Sequence, residues 1–357
     1  MKDHDARWMR RCVELARRGA GRTAPNPMVG AVVVQEGDLL AEGWHDTPGS
    51  DHAEPVALKK LPDQRAPGAT MYVNLEPCCH YGRTPPCTDY ILASGVRRVV
   101  VGMVDPDPRV RGEGLRILRG AGIDVDVGIE ESACRDLNLG FIKANEEGLP
   151  RVWLKAASTL DGRIADAFGA SRWITGEAAR LEGHRMRNRS DAILIGSGTL
   201  LADDPALTTR GVDGGRDALR VVLDSGLRCP EDAKILRVGD RPPLLYCASD
   251  APQRELPATL VRVPRCERGL DLRAVLRDLV QRGVHNVLVE GGGGLLHGFL
   301  SEGLADRLLL FLAPRVVAGG THFVEGPPFA LGDGPAFTLH HTRRLGQDLL
   351  LDLQLKR

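Results

Sequence analysis

The chain has 357 residues, 43% hydrophobic and 26% charged, a length that predicts about two domains, each with a core of its own. Its 47 basic residues balance 47 acidic ones, which excludes coating of nucleic acid or an anionic membrane by bulk charge. With only 7 Phe, 4 Trp and 4 Tyr, it is also too poor in aromatics for a single-strand stacking platform.

In chain order, Asp5 stands ahead of a helical pattern in which Trp8, Cys12 and Leu15 share a face beside Met9, Val13 and Ala16, ended by Gly19 and Gly21. Residues 31–34 and 39–43, around a turn at 36–38, read as a hairpin. Helices follow over 52–61, 88–93, 112–119 and 131–143, with strands over 71–75, 98–103 and 123–127. The polar, Gly/Pro-punctuated stretch 145–150 is the boundary, giving domains 1–147 and 148–357. Beyond it, strands are expected over 152–156, 192–195, 219–223, 244–247, 286–289 and 307–312. Helices are expected over 177–187, 272–281 and 294–300. Such alternation predicts α/β layers in both halves.

The N-terminal residues are polar, without the apolar core of a signal peptide, and no run reaches the length of a membrane span. A cytoplasmic chain is expected, where clustered cysteines indicate metal or catalysis rather than disulfides. Cys12, Cys134, Cys229, Cys247 and Cys266 are scattered singly, whereas Cys78, Cys79 and Cys87 lie within ten residues. His52-Ala53-Glu54 precedes Glu76-Pro77-Cys78, and Cys87 opens the next helix. One imidazole and two thiolates leave the fourth tetrahedral position of a zinc ion for water, as catalysis needs. Glu54, two residues from His52, is placed to carry a proton. The pattern is that of zinc deaminases, H-x-E followed by P-C-x-x-C, with a longer loop between the cysteines. The competing reading is a closed structural site with Cys79 or His80 as fourth ligand. It gives no reason for Glu54, and adjacent Cys78 and Cys79 are poorly placed to reach one ion. Pro55 is tolerated only in a helix's first turn, so the helix must begin just before it.

In the second half, a strand runs through Glu290 into Gly291–Gly294 and a helix, a cradle whose free N–H groups suit a phosphate. It is not a dinucleotide fingerprint, since the third glycine of that motif falls on His297 or Leu296.

Pro25-Asn26-Pro27-Met28-Val29-Gly30, His52-Ala53-Glu54, and Leu75-Glu76-Pro77-Cys78 through Gly82-Arg83-Thr84-Pro85-Pro86-Cys87 resemble the bifunctional riboflavin-biosynthesis deaminase–reductase family. Lys155-Ala156-Ala157-Ser158-Thr159, Ser171-Arg172-Trp173, Gly196 to Pro205 and Leu223-Asp224-Ser225 resemble its reductase half. The resemblance implies an N-terminal cytidine-deaminase-like three-layer domain and a C-terminal dihydrofolate-reductase-like α/β domain. It makes His52, Cys78 and Cys87 the ligands of one Zn²⁺, with Glu54 as proton shuttle. Asn26, His45 and Arg83 would surround a diaminopyrimidinone ribosyl phosphate whose 2-amino group is replaced by oxygen. Ala157, Trp173, Thr199, Asp203, Ser225, Gly292, Gly293, Gly294, Leu295, Leu296, His297 and Gly298 would contact NADPH. Ser171, Arg187, Leu207, Arg210 and Glu290 would hold the phosphoribosyl substrate, with Lys155 and Asp203 the candidates for proton delivery during reduction. Cys79, where the family usually has Ser, and Pro55 are departures. The expected partner is a small molecule, without nucleic acid or membrane, and the chain is expected to form a homo-oligomer. The alternative is a nucleoside or tRNA deaminase whose C-terminal half only binds substrate.

Overall fold

The computed structural model describes residues 2–81, 85–267 and 269–356, and the chain divides into two compact units, one up to Gly148 and one from Leu149. In the first, α1 (Lys2–Ala16) buries Trp8, Met9, Cys12, Val13 and Leu15. It begins before Asp5, which is a buried helical residue rather than the residue ahead of the helix. The Asp5 carboxylate accepts from Tyr72 Oη at 2.8 Å and from both terminal nitrogens of Arg98 at 3.0 Å. This tertiary pair, and no capping preference, fixes where the side chain sits.

The strands β1 (Gly30–Gln35) and β2 (Asp38–Trp44) form the expected hairpin. After them come α2 (Ala53–Leu58), β3 (Thr70–Val73), α3 (Cys87–Ser94), β4 (Arg98–Val101), α4 (Glu113–Gly120) and β5 (Asp124–Val127). The sheet order is β2-β1-β3-β4-β5, antiparallel through β3 and parallel beyond it. Ala31, Val32, Val33 and Val34 are all buried, so both faces of β1 are covered and the unit is three-layered. The expected helix over 131–143 is broken into α5 (Glu131–Leu137) and α6 (Leu139–Glu146). Asn138 at the break uses its amide on the Met28 backbone, giving 2.8 Å from Met28 N to Oδ1 and 2.9 Å from Nδ2 to Met28 O. Asn74 Nδ2 adds a bond to the same carbonyl at 3.0 Å.

The second unit contains β6 (Arg151–Thr159), α7 (Glu177–Arg189), β7 (Ala192–Gly196), α8 (Ser197–Asp203), β8 (Leu219–Leu223), α9 (Lys234–Arg237), β9 (Leu244–Ala248) and β10 (Thr259–Val263). A two-residue pair, β11 (Arg265–Cys266) and β12 (Gly269–Leu270), leads into α10 (Leu272–Gln281), β13 (Asn286–Val289), α11 (Gly293–Ser301), β14 (Arg307–Ala313), β15 (Phe337–Leu345) and β16 (Asp348–Leu355). The nine-stranded sheet has the order β10-β9-β8-β7-β13-β6-β14-β16-β15. Its first seven strands are parallel, and the last two pairings, β14 with β16 and β16 with β15, are antiparallel. β13 returns into the gap between β6 and β7, so the direction of winding reverses there. Open α/β sheets bind ligands at the carboxyl ends of strands beside such a reversal.

Two candidate active sites

In the first unit the helix α2 starts at Ala53, and its first bond runs from Val56 N to His52 O at 3.1 Å. Pro55 therefore falls in the first turn, where its missing N–H costs nothing. His52 Nδ1 lies 3.3 Å from Cys87 Sγ and 3.5 Å from Cys78 Sγ, and the three donor atoms are all within 4.8 Å of one another. Tetrahedral zinc with Zn–N of ~2.0 Å and Zn–S of ~2.3 Å holds such donors ~3.6 Å apart, so the set fits one ion. Among the described residues neither Cys79 nor His80 belongs to the group. The Cys79 thiol is pushed up by burial and by Glu113 and Glu76, and His80 is exposed. The tripod thus has three protein donors and room for a fourth ligand.

Cys87 Sγ and the backbone N–H of Cys87, the latter at 3.3 Å, hydrogen-bond the Cys78 sulfur. Despite burial, these bonds and His52 hold the Cys78 thiol down at about 4. Glu54 is only 3% exposed, and burial followed by the Cys78 charge raises its carboxyl above the ordinary range, with His52 opposing. The result is a carboxyl able to take and release a proton beside the donor set. His45 stands edge-to-face with His52, ring centres 5.3 Å apart. Its Nδ1 is 3.1 Å from Asp51 O, an atom that only accepts, so Nδ1 carries the hydrogen. Its Nε2 then accepts from Asn26 Nδ2 at 3.0 Å. Burial lowers the His45 pKa, consistent with this neutral tautomer. The loop carrying Asn26 is held by the two asparagines on Met28. Arg83 lies outside the described residues.

In the second unit a cavity of about 600 Å³ opens at the carboxyl edge of the parallel strands. Ser197 and Thr199 of α8, Ser225 after β8, and Gly292, Gly293 and Gly294 at the start of α11 line it. Two helices therefore begin at its wall. Side chains added at Gly292 and Gly294 would meet nothing nearer than Thr199 Oγ1 at 3.8 Å and Glu325 O at 4.0 Å, so the backbone there stays open to a ligand. The volume suits a small-molecule cofactor, and the helix starts suit its phosphates. Asp203 and Ser171 also line the cavity, and Ser171 Oγ donates to Asp203 Oδ1 at 3.2 Å.

Glu290, between β13 and the glycines, accepts a two-pronged bond from Arg187, 2.8 Å from Nε and 2.9 Å from a terminal nitrogen. Lys155 Nζ on β6 is 3.8 Å from Glu290 Oε2, the oxygen that also accepts from the Arg187 terminal nitrogen. His184 Nδ1 accepts from the backbone N of Arg210 at 3.3 Å.

A profile described as the cytidine and deoxycytidylate deaminase zinc-binding region matches residues 2–103, and one described as the RibD C-terminal domain matches 150–351. Riboflavin biosynthesis protein RibD of Aquifex aeolicus is 38% identical over 352 residues, covering 98% of each chain. The chain belongs to the RibD family. The solved structure of Acinetobacter baumannii RibD has a TM-score of 0.91 at 38% identity and covers 100% of both chains. A Thermotoga maritima protein, described as a diaminohydroxyphosphoribosylaminopyrimidine deaminase/5-amino-6-(5-phosphoribosylamino)uracil reductase, has a TM-score of 0.91 at 36% identity over 99% of both. The chain is accordingly a bifunctional enzyme of riboflavin biosynthesis, a zinc-binding deaminase unit followed by a reductase unit. The alternative of a catalytically silent C-terminal half does not stand.

Against the RibD residues expected from sequence, the fold gathers Asn26, His45, His52, Glu54, Cys78 and Cys87 in one place. It also brings Thr199, Asp203, Ser225, Gly292, Gly293, Gly294, Leu295 and Gly298 to one cavity, together with Ser171. Ala157 on β6 and Trp173 do not line that cavity; Trp173 is exposed, with Arg180 stacked 4.6 Å from its ring centre. Leu296 and His297 do not line it either: Leu296 is buried in the hydrophobic core, and His297 is buried against Pro327 O and the Phe329 ring. The Leu207 side chain is in the core. Arg187 is committed to Glu290 and to Thr208 O, while the Arg210 side chain makes no ion pair among the described residues. Asp105 was missed. It is buried after β4, its N–H donates to Glu76 Oε2 at 3.1 Å, and burial together with Asp107, Glu76 and Cys78 pushes its carboxyl up to about 7. The signal available in sequence was its place, just past the end of a parallel strand neighbouring the one that leads to Cys78.

No helix among the described residues is long and apolar enough to cross a membrane.

Proposed function

We propose that the first unit replaces the 2-amino group of 2,5-diamino-6-(5-phosphoribosylamino)pyrimidin-4(3H)-one by oxygen, and that the second reduces the ribosyl chain of the product to ribityl with NADPH. The observation that carries the first step is the His52–Cys78–Cys87 tripod with a buried Glu54 beside it. When bound, zinc supplies a water acidified toward a pKa of ~7. Glu54 would take a proton from the attacking water and pass it to the ring nitrogen, then carry the adduct's remaining hydroxyl proton to the nitrogen that leaves as ammonia. His45, neutral and held by Asn26 and Asp51 O, orients the base from the side of His52. Arg83 is assigned to the substrate phosphate.

For the reduction, the helix starts at Ser197 and Gly293 would hold the cofactor's pyrophosphate, with Thr199, Asp203, Ser225 and Leu295 along the cavity. NADPH, when bound, would supply a hydride for C1′ of the ring-opened sugar, and a proton must reach the ring oxygen or the imine nitrogen. Lys155 is the donor, because Asp203 already accepts the Ser171 hydroxyl whereas the Lys155 ammonium has a proton to give. Glu290 orients that ammonium, and Arg187 fixes Glu290. Arg210, exposed beside His184, is the phosphate partner of this second site. The same reading is of a cytoplasmic homo-oligomer, and the balanced charge supports the absence of a nucleic-acid partner.

The test measures ammonia release and NADPH consumption separately. A chelator should abolish ammonia release and leave NADPH consumption intact once deaminated substrate is supplied. Ammonia release that survives complete removal of zinc, or a purified chain that never oxidises NADPH with that substrate, would sink the reading.

A further inference from the structure

His297 lies within the stretch that the family resemblance implies for the cofactor, yet it does not line the cavity. It is 4% exposed. Its Nε2 is 2.8 Å from Pro327 O, an atom that only accepts, so Nε2 carries the hydrogen and donates. The ring is stacked on Phe329 with centres 4.9 Å apart and planes 18° from parallel. Gly326 lies so close that a Cβ there would run into the imidazole. All three contacts are with one irregular strap, residues 319–329.

The other end of that strap is also fixed. Ile164 N donates to Thr321 O at 2.9 Å, Thr321 N to Ala165 O at 3.1 Å, and Phe323 N to Gly162 O at 3.1 Å. Between its two anchors the strap turns toward α11. A Cβ at Gly293 would lie 2.5 Å from His322 O and 2.9 Å from Glu325 N, so only glycine lets the two segments approach this closely. Glu325 Oε1 accepts from His322 N at 3.0 Å, which keeps the carboxylate folded against its own backbone. Thr321 and Glu325 line the same cavity as Gly292–Gly294.

We propose that His297 is a positioning residue of the reductase unit, which pins the strap so that Thr321 and Glu325 form the cofactor cavity's wall beside the glycine turn. One helix then does two things. Its first turn presents N–H groups to the cofactor phosphates, and its second turn holds the segment that closes the cavity over them. A strap released from His297 would keep its anchor on residues 162–165 but lose the one on α11, leaving the wall free to move away from Gly293. The cost falls on cofactor binding. The hydride step, once the cofactor is seated, uses groups the strap does not touch. This inference rests on NADPH occupying that cavity.

The experiment uses the full-length chain and titrates NADPH by calorimetry, alongside steady-state reduction. In His297→Ala the NADPH Kd should rise about tenfold, the order of one buried hydrogen bond plus one ring stack, with kcat at saturating NADPH within about twofold. His297→Gln keeps a donor able to reach Pro327 O and should stay within about threefold of the starting Kd. Gly326→Ala leaves the histidine in place but pushes the strap off its ring, and should raise Kd as His297→Ala does. Ammonia release should be unchanged in all three. NADPH affinity unchanged in both His297→Ala and Gly326→Ala would overturn the proposal, as would His297→Gln falling as far as alanine. Should His297→Ala lose the reductase unit's cooperative melting transition, Gly326→Ala decides. A starting protein that binds no NADPH overturns the cavity assignment along with the pin.

Discussion

Glu290 ties together the charges of the reductase unit, and neutralising it should have a size the structure sets. Its side chain is 11% exposed, that of Arg187 16% and that of Lys155 21%. Burial opposes ionisation of Glu290, but Arg187 and Lys155 overcome it and hold the carboxyl at about 2, against an ordinary 4.5. At 1.36 kcal/mol per pKa unit this depression is worth about 3 kcal/mol of folding stability. A carboxyl whose folded pKa is depressed contributes that amount in full above its unfolded value and loses it as pH falls through the folded one. The contribution is thus complete at neutral pH, starts to fade below about 4.5, and is gone below about 2. Glu290→Gln removes it at every pH and leaves Arg187 buried against an amide. Breaking one partner of a buried pair costs about 3–5 kcal/mol, and the amide oxygen still accepts one Arg187 bond, so the lower figure applies. In a unit of about 200 residues each kcal/mol moves the melting temperature by roughly 2–4 °C, so a drop of about 6–12 °C is expected at pH 7.

Scanning calorimetry of the full chain reads this out, with the reductase transition identified as the one that NADPH raises. The gap between the two proteins should be constant from pH 7 to 5 and narrow below 4.5. A double variant, Glu290→Leu with Arg187→Met, should recover at least half of the lost stability while abolishing reduction, because it removes both charges together. Glu290→Gln melting within 2 °C of the unaltered chain at pH 7 would refute the argument, since the buried pair would then contribute nothing net.

Three more expectations concern the deaminase unit. Glu54→Gln should lower ammonia release by about 10²–10⁴-fold while metal analysis still finds one zinc per chain. Gly30→Ala should destabilise the unit by about 3 kcal/mol in urea unfolding, because the new methyl runs into the Cys12 carbonyl in the middle of α1, which cannot move aside. Asp5→Asn should cost about 2 kcal/mol at pH 7, since Arg98 keeps Asp126 as a second partner. Arg98 holds the Asp5 carboxyl below its usual 3.8, so the difference from Asp5→Asn should persist down to about pH 4 and shrink only in stronger acid.

The alternating α/β plan was legible because parallel strands buried on both faces leave unbroken apolar runs, such as Val99–Val101, Ala192–Ile195 and Val287–Val289. The hairpin of β15 and β16 left no such trace. β15 is an edge strand, exposed along nearly its whole length and carrying His340, His341, Arg343 and Arg344, so no period of two separates an inner face from an outer one. The break at Asn138 was hidden for a different reason: what ends α5 is a pair of bonds to Met28, 110 positions away. The zinc tripod was visible because metal chemistry restricts ligand types and places them at element ends, where a short motif suffices. The cofactor set was not equally readable. Seven consecutive residues from Gly292 to Gly298 cannot all face one cavity, because each step along a helix turns the side chain by about 100°. Gly292 to Leu295 and Gly298 line the cavity, Leu296 turns into the core, and His297, one turn beyond Gly293, is covered by Gly326, Pro327 and Phe329 instead.

The same geometry accounts for how a chain of zero net charge handles substrates and cofactors rich in phosphate. Several cations are already committed to carboxylates. Arg187 is paired with Glu290, Arg98 with Asp5 and Asp126, Arg109 with Asp107. On the proposed reading, phosphate in the second unit goes to Arg210 and to the N–H groups at the starts of α8 and α11. Backbone donors carry no counterion to shed and suffer little screening inside a cavity. Cofactor binding should therefore fall only gently with added salt, less steeply than for a site that depends on exposed arginines. In both units the candidate site residues sit past the carboxyl ends of parallel strands, at Cys78 beyond β3 and at Ser197 and Gly292 beyond β7 and β13. A parallel strand aims its last residues at one edge of the sheet while the next helix starts there. The two halves therefore reach unrelated chemistries, hydrolysis and hydride transfer, from one structural arrangement.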